Sequence, residues 1–471
     1  MTGFKRFLLA AVCLLCACFS GCAVLNSTEL LMLPQISPEQ AGLLQLVNAV
    51  TASSVWSVTA PARGSELSSM QFVDFFGDGV EEAVCFFKNS EEMTLRVTLY
   101  SNTGPQGYSE LCTLETAGYG VDSVEYVDLD GDGNLELVLF VRYESSSIYG
   151  AEVYRLSNRN AQRVSLGFCT AYAIWDMTLD GNRDIILARH SEHSGITAAA
   201  SEEKSDCAEL FSWVDGNATR MGSVPIIAGD PGTATATCGM LNGMMSVCVF
   251  DVGITKEGGT AWTSNVLTWD GEFVNVSDKA LGSVMNSSRN VKILCRDADF
   301  DGDIEIPLCI SMPAPADMLS GGSEKYTVWY GITNEYSLVQ KAVTYCFPGG
   351  NWYYIMPENW YNTVYVKTGS MDGLATFAFT ADKNGRPNTL LTIYRVSSGY
   401  TPALPEESFF ITEAGGYTYY AVCGVPDTLD PLDEKMYVLL QSDVLESFVS
   451  VDALGNAERA LSRSDDIIEA E

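Results

Sequence analysis

The run Asp128-Leu129-Asp130-Gly131-Asp132-Gly133-Asn134-Leu135-Glu136 sets carboxylates at the first, third, fifth and ninth positions of a loop, with Gly133 at the sixth. Alternate residues in so tight a loop can turn their oxygens toward one centre, and the glycine permits the sharp bend. The main-chain carbonyl of Asn134, at the seventh position, adds another oxygen. Hard oxygen donors at this density suit Ca²⁺. An EF-hand loop begins the same way, but it needs a Glu at the twelfth position and a helix on either side. Here the twelfth position is Leu139, inside an apolar run from Leu137 to Val141 that reads as a strand. The pattern therefore predicts a calcium-binding turn between two strands.

The same register recurs. Asp297, Asp299, Asp301, Asp303 and Glu305 surround Gly302, with Leu308 at the twelfth position. Asp176, Thr178, Asp180, Asn182 and Asp184 surround Gly181, with Thr in place of one Asp. Asp74, Asp78 and Glu82 surround Gly79, in a copy weakened by Phe76 at the third position. Asn242-Gly243 and Asp372-Gly373 keep only the turn. One Asp-Gly alone would read as a hairpin turn. Three near-complete copies, each running into Leu, Ile or Val, point to a repeated metal loop. Affinity in such loops follows ligand charge and rigidity. The expected order is the 297 loop at or above the 128 loop, then the 176 loop, then the 74 loop.

Written as DLDGDGNLELVL and DADFDGDIEIPL, the motif resembles the FG-GAP or VCBS repeat. Through that repeat it resembles the calcium-binding blades of the integrin α-subunit propeller. The resemblance covers roughly residues 68–345. It implies β-propeller blades with structural Ca²⁺ in the turn between the first two strands, and it is nearly silent on ligand.

Loops of this kind need strands to hold them. The turn glycines 79, 133, 181, 243, 302 and 373 fall roughly 50–70 residues apart, the scale of a propeller blade. Late in each unit a strand ends in an aromatic residue, at Tyr100, Tyr154, Trp213, Trp269, Tyr330 and Tyr394, and a seventh such strand, from Met436 to Leu440, lacks the final aromatic. The expected fold is all-β, a β-propeller of about seven four-stranded blades or of six plus a small β-module, with a short N-terminal helix. Ser37-Pro38-Glu39-Gln40 is a helix start, and Leu43, Leu46, Val47 and Val50 form a helical stripe, which puts the helix at about 38–50. Trp56 to Thr59 is a candidate strand to close the ring. Residues 68–345 carry the calcium-turn blades, 346–455 diverged blades or the small module, and 456–471 an acidic tail. The aromatic run from Trp352 to Trp360 reads as core or blade-edge packing in preference to a sugar-stacking surface.

Residues 1–21 read as an export signal of lipoprotein type. Lys5 and Arg6 precede an apolar run, and Ser20-Gly21 precede Cys22. The small residues before Cys22 resemble a bacterial lipobox, with Phe19 where Leu is usual; Leu15 to Cys18 is a second candidate site. Cys22 is the expected lipidation site, and 22–67 a tether carrying the helix. Ten cysteines follow it, none in a C-x-x-C pair. Those at 85, 248 and 309 lie in strand-like apolar runs, so mostly buried thiols are expected.

With 60 acidic and 27 basic residues the net charge is -33, which argues against nucleic acid and anionic lipid as partners. His190 and His193, the only histidines, lie in a polar stretch without a third zinc ligand. No G-x-S-x-G, H-E-x-x-H or phosphate loop is present. The expectation is therefore a lipid-anchored extracytoplasmic propeller on the cell surface. It would bind a protein or glycan without catalysis, with Ca²⁺ as its structural cofactor. The rival is a propeller enzyme acting on polysaccharide, a glycosidase or lyase.

Overall fold

Strands rich in β-branched and aromatic residues pair with their chain neighbours wherever a Gly, Asn or Asp turn is short enough. The computed structural model describes residues 38–460, except 105–106, 144–146, 158–159, 192–204, 215, 278–288, 314–323, 348–350, 372, 384–385, 425–438 and 453–456. Among the described residues the strands form six antiparallel sheets in chain order. The second is typical, a meander of Gly120–Val127, Glu136–Tyr143, Ile148–Ser157 and Asn160–Cys169. The third runs from Ala171–Trp175 to Asn217–Pro225, and the fourth from Thr235–Leu241 to Phe273–Asn275.

The sheets stack face to face in the order of the chain, as propeller blades do. One core joins the first and second sheets through Phe86, Val97, Leu137 and Leu139. The next joins the second and third through Phe140, Val153, Ile185 and Leu187. The third and fourth meet through Ile186, Leu210, Cys248 and Phe250, and the fourth and fifth through Val247, Val249, Cys295 and Ile306. The fifth and sixth share the largest core, which holds Trp352, Trp360, Tyr345 and Phe379. Alternation along a strand supplies two adjacent cores at once: Leu139 faces the first sheet while Phe140 faces the third. Each such side chain, fully buried, stabilises the fold by about 1.5–3 kcal/mol.

The chain is therefore all-β and of propeller type, with six blade-sized sheets among the described residues, where about seven blades, or six plus a small β-module, were expected. Met436, near which a seventh strand group was expected, lies outside the described residues. The N-terminal helix spans Pro38–Thr51, and its Leu43 and Val47 cover Ala83, Cys85 and Phe87 on the outer face of the first sheet. Ser57–Val58, the candidate ring-closing strand, instead pairs with Lys88 and Phe87 of that same first sheet. The chain after the sixth sheet returns to the fifth, where Phe448–Val451 pairs with Trp352–Ile355 and is flanked by Ala457–Arg459. No described helix is long and apolar enough to cross a membrane.

Candidate functional site

Four acidic turns adopt one conformation: three join the first two strands of the first, second and third blades, and the fourth is closed by the bridge of Arg296 with Glu305 ahead of the fifth blade's Ile306–Ser311. The carboxylate at the first position accepts the main-chain N–H of the glycine at the sixth, at 2.9 Å for Asp74 and Asp128 and 3.0 Å for Asp176 and Asp297. The fifth-position carboxylates of Asp78, Asp132, Asp180 and Asp301 accept the N–H two residues on, at 2.8–2.9 Å. The ninth-position acids Glu136, Asp184 and Glu305 accept the N–H of the second residue at 2.8–2.9 Å, and Glu82 does so at 3.4 Å. That second residue is a buried plug in every copy, Phe75, Leu129, Met177 or Ala298.

Two left-handed residues make the bend. The sixth-position glycines have φ of 82–96°, and the fourth position has φ of 57–74° whether it is Gly77, Gly131, Leu179 or Phe300. A side chain there is strained, so Leu179 and Phe300 mark a backbone that the rest of the loop holds in place.

In two loops the oxygens converge. One carboxylate oxygen each from Asp128, Asp130 and Glu136 lie within 4.8 Å of one another, as do those of Asp297, Asp299 and Glu305. These two acidic clusters could hold a metal ion. Asp130 Oδ1, Glu136 Oε1 and Glu305 Oε1 are buried and accept no hydrogen bond from any described residue. Buried polar atoms left in this state are costly, and a hard cation at the centre of each loop would satisfy them. The donor set thus fits Ca²⁺, whose contribution would be to tie the two strands of the blade together.

Without a cation the carboxyls strain against one another. Burial, with Asp130 close by, pushes Glu136 up to about 7. Burial, with Asp299 and Asp301 nearby, pushes Glu305 up to about 8. Each loop also has a basic neighbour that sequence pattern did not reveal. Arg155 Nη2 lies 3.0 Å from Asp130 and 2.5 Å from Asp132, and Lys341 Nζ lies 2.6 Å from Asp301.

The remaining predicted ligands fall elsewhere. Asp303 turns out of its loop, and its Oδ1 accepts the N–H of Gly243 at 2.7 Å, capping the tight turn of the fourth blade. The 297 loop is thereby left with four acids, as many as the 128 loop. Asp184 has both oxygens engaged, one by Ser212 Oγ and the other by the N–H groups of Met177 and Thr178. Thr178 Oγ1 donates to the same oxygen at 3.3 Å. Only Asp176 Oδ1 in that loop is buried without a partner. Asn182 leans toward the neighbouring loop, its Oδ1 2.9 Å from where a Cβ on Gly131 would sit. Asp74 spends its two oxygens on Asp78 and Gly79 N–H groups. Asn134 donates its side-chain amide to Asp132. Cys22 and His193 lie outside the described residues, and His190 sits 3.4 Å from Asp206.

A second feature lies at the inner strands of the second, third and fourth blades. A cleft of about 500 Å³ is lined by Glu125, Tyr126, Tyr172, Trp175, Arg183 and Cys238 among others. Burial raises the Glu125 carboxyl above its ordinary value. Tyr172 stacks on Phe140 with centroids 3.5 Å apart, and its hydroxyl donates to Asp122 at 2.5 Å. Arg63 pairs with the same Asp122 and lies over the Tyr149 and Tyr172 rings. Arg183 covers the face of Trp175 at 5.0 Å. Nothing in the spacing of Asp122, Glu125 and Tyr172 marks them as a group, because the first strands of two blades and Arg63 of the preceding segment assemble them.

Fold and loops together define a propeller-type chain with acidic turns at one end of its blades. No family model matches the chain, and no curated protein matches it. Among solved structures it is similar to the GH43 BlXynB protein from Bacillus licheniformis, at 12% identity over 76% of each chain with a TM-score of 0.24. It is also similar to an exo-beta-1,3-galactanase from Phanerochaete chrysosporium, at 9% identity over 79% of this chain and 89% of that one, TM-score 0.25. A third is a mannose phosphorylase from Leishmania mexicana, at 10% identity over 72% and 89%, TM-score 0.18. Likeness this distant assigns no role to any residue. It does correct one expectation. Non-catalysis was expected from missing motifs alone, whereas the similar structures include an exo-beta-1,3-galactanase and a mannose phosphorylase.

Proposed function

We propose that this chain is an exported propeller enzyme that acts on polysaccharide, held at the membrane by a lipid on Cys22 and stabilised by Ca²⁺ in the 128 and 297 loops. The observation that carries the reading is the inner-strand cleft. Tyr126 and Trp175 line it beside Tyr172, and a cleft lined by aromatic side chains with a few polar groups suits a small ring-shaped ligand such as a sugar. Glu125 stands among them with its carboxyl raised by burial, a shift in the direction that a general acid protonating a leaving glycosidic oxygen needs. The negative surface favours neutral glycans over acidic ones. The test is release of reducing ends from a panel of neutral cell-wall and plant polysaccharides, followed by mass spectrometry. Glu125→Gln should lower turnover by about 10²-fold or more. Turnover that survives Glu125→Gln intact, or no release from any polysaccharide, would overturn the reading.

A further inference from the structure

Of the ten described cysteines, two face each other directly. In the hairpin of the fourth blade, Thr235–Leu241 pairs with Met245–Lys256 so that Cys238 stands opposite Cys248. No other two described cysteines are opposed in a strand register. The kind of pair can be read from the main chain. The Met240 carbonyl accepts the Ile304 N–H at 2.8 Å, so Met240 points away from its partner strand, while Leu241 points its carbonyl inward to Met244. Hydrogen-bonded and non-hydrogen-bonded pairs alternate along an antiparallel ladder. Two residues back from Met240, Cys238 and Cys248 are therefore a non-hydrogen-bonded pair, with Cα atoms about 4.5 Å apart and side chains on one face. That separation lies inside the range a disulfide spans. Cys238 also packs against the core that holds Cys248.

We infer that Cys238 and Cys248 form a cross-strand disulfide when the protein meets a disulfide oxidant, and that this bond locks one wall of the inner-strand cleft. Cys238 is half-buried and lines the cleft, so a small disulfide can reach it. Cys248 is fully buried in the core between the third and fourth sheets. The order of steps follows. The Cys238 thiolate attacks a sulfur of the oxidant, forming a mixed disulfide and releasing one thiol. The Cys248 thiolate then attacks the Cys238 sulfur and expels the second thiol. Two protons and two electrons pass from the cysteine pair to the oxidant, whose S–S bond is broken as theirs is made. Burial holds the Cys248 thiol protonated well above its ordinary range, so the second step is the slow one and quickens as pH rises. None of this depends on the glycan reading.

The experiment uses the full chain in buffers of oxidised and reduced glutathione. After acid quench, denaturation and alkylation, the digest is read by mass spectrometry. The expected result is one peptide pair joined through Cys238 and Cys248, lighter by two hydrogens than the free thiols, with the buried Cys85 and Cys295 still alkylated. In Cys248→Ser, Cys238 should stop at the glutathione adduct. In Cys238→Ser, Cys248 should stay a thiol. Wild-type protein alone decides the matter, so a variant that folds poorly leaves the test intact. Complete alkylation of both cysteines at the most oxidising ratio, or their linkage to other cysteines, would overturn the inference.

Discussion

Arg155 reaches across the second blade to place its Nη2 3.0 Å from Asp130 Oδ2, with Asp132 at 2.5 Å. The guanidinium occupies the rim of the loop in which a cation would sit, so it acts as counter-ion and competitor together. Partly exposed pairs of this kind are worth about 0.2–1 kcal/mol. Arg155→Gln should therefore tighten Ca²⁺ binding at the 128 loop by roughly two- to fivefold. Calorimetric titration in an Asp299→Asn background isolates that site. Weaker binding in the variant would mean that Arg155 orients the carboxylates and does not compete.

Calcium removal should lower stability without unfolding the chain. Exposed sites of this type bind at about 10⁻⁴–10⁻³ M, so at about 1 mM Ca²⁺ each filled site stabilises the fold by roughly 0.4–1.4 kcal/mol. Two well-formed sites give roughly 1–3 kcal/mol, or on the order of 1–3 °C for a chain of this size. Asp130→Asn should remove about half of the chelator-sensitive shift, and Asp78→Asn almost none, because the 74 loop has Phe76 where the 128 loop has Asp130, and among the described residues its carboxylates form no converging cluster. A melting temperature indifferent to chelator in calorimetry would count against both sites.

The same loops set a pH dependence with a definite sign. Glu136 and Glu305 rise from 4.5 to about 7 and about 8 in the folded, metal-free chain. A carboxyl raised on folding contributes stability fully below its unfolded value, and that contribution is lost as pH climbs through the folded one. In chelator, then, stability from these two groups should fall between about pH 4.5 and 8. Ca²⁺ must displace the protons, so its affinity should increase over the same window, by up to about tenfold per pH unit for each proton released. Urea midpoints with and without Ca²⁺ measure both arms; parallel pH curves would sink the linkage.

What the sequence revealed was local. The loop register, the glycines at the sixth position, the helix near 38–51 and the repeat period all depend on residues close in the chain, and the structure has each of them. Leu179 and Phe300 were not legible as left-handed, since a loop's own hydrogen bonds override residue preference there. Arg155 and Lys341 were invisible because strand pairing within a blade carries them to the loops, and the grouping of Asp122, Glu125 and Tyr172 because packing of one blade on the next makes it. Asp303 was taken for a ligand on spacing alone, but the neighbouring blade's Gly243 claims its side chain. The return of Phe448–Val451 to the fifth sheet has no local signature at all.

Anchoring is tested apart from the fold. Cys22→Ala should move the protein from the membrane fraction to the medium, or stall its processing. A diacylated N-terminus would hold the protein stably, since one chain alone gives only marginal binding. Mass spectrometry that maps the mature N-terminus to another residue, without lipid, would refute the anchor.

The run from Trp352 to Trp360 marks the mechanical centre of the last two blades. Trp352 and Trp360 are 2% and 0% exposed, so their faces are not available to a sugar. Trp352 stacks on Phe448 with centroids 5.2 Å apart and an interplanar angle of 11°, which clamps the returning C-terminal strand to the fifth sheet. Trp360 packs on Phe379 at 5.8 Å and so reaches the sixth sheet. Truncating a buried Trp costs about 3–5 kcal/mol, since the cavity left behind collapses only in part. Trp360→Ala should lower the urea midpoint accordingly while leaving Ca²⁺ binding at the 128 loop unchanged, because that loop lies three blades away. Trp352→Ala should in addition free the C-terminal strand, which limited proteolysis would show as early cleavage after residue 447. Equal protease resistance in Trp352→Ala and wild type would mean that strand pairing alone, without the stacked rings, holds the C-terminal segment in place.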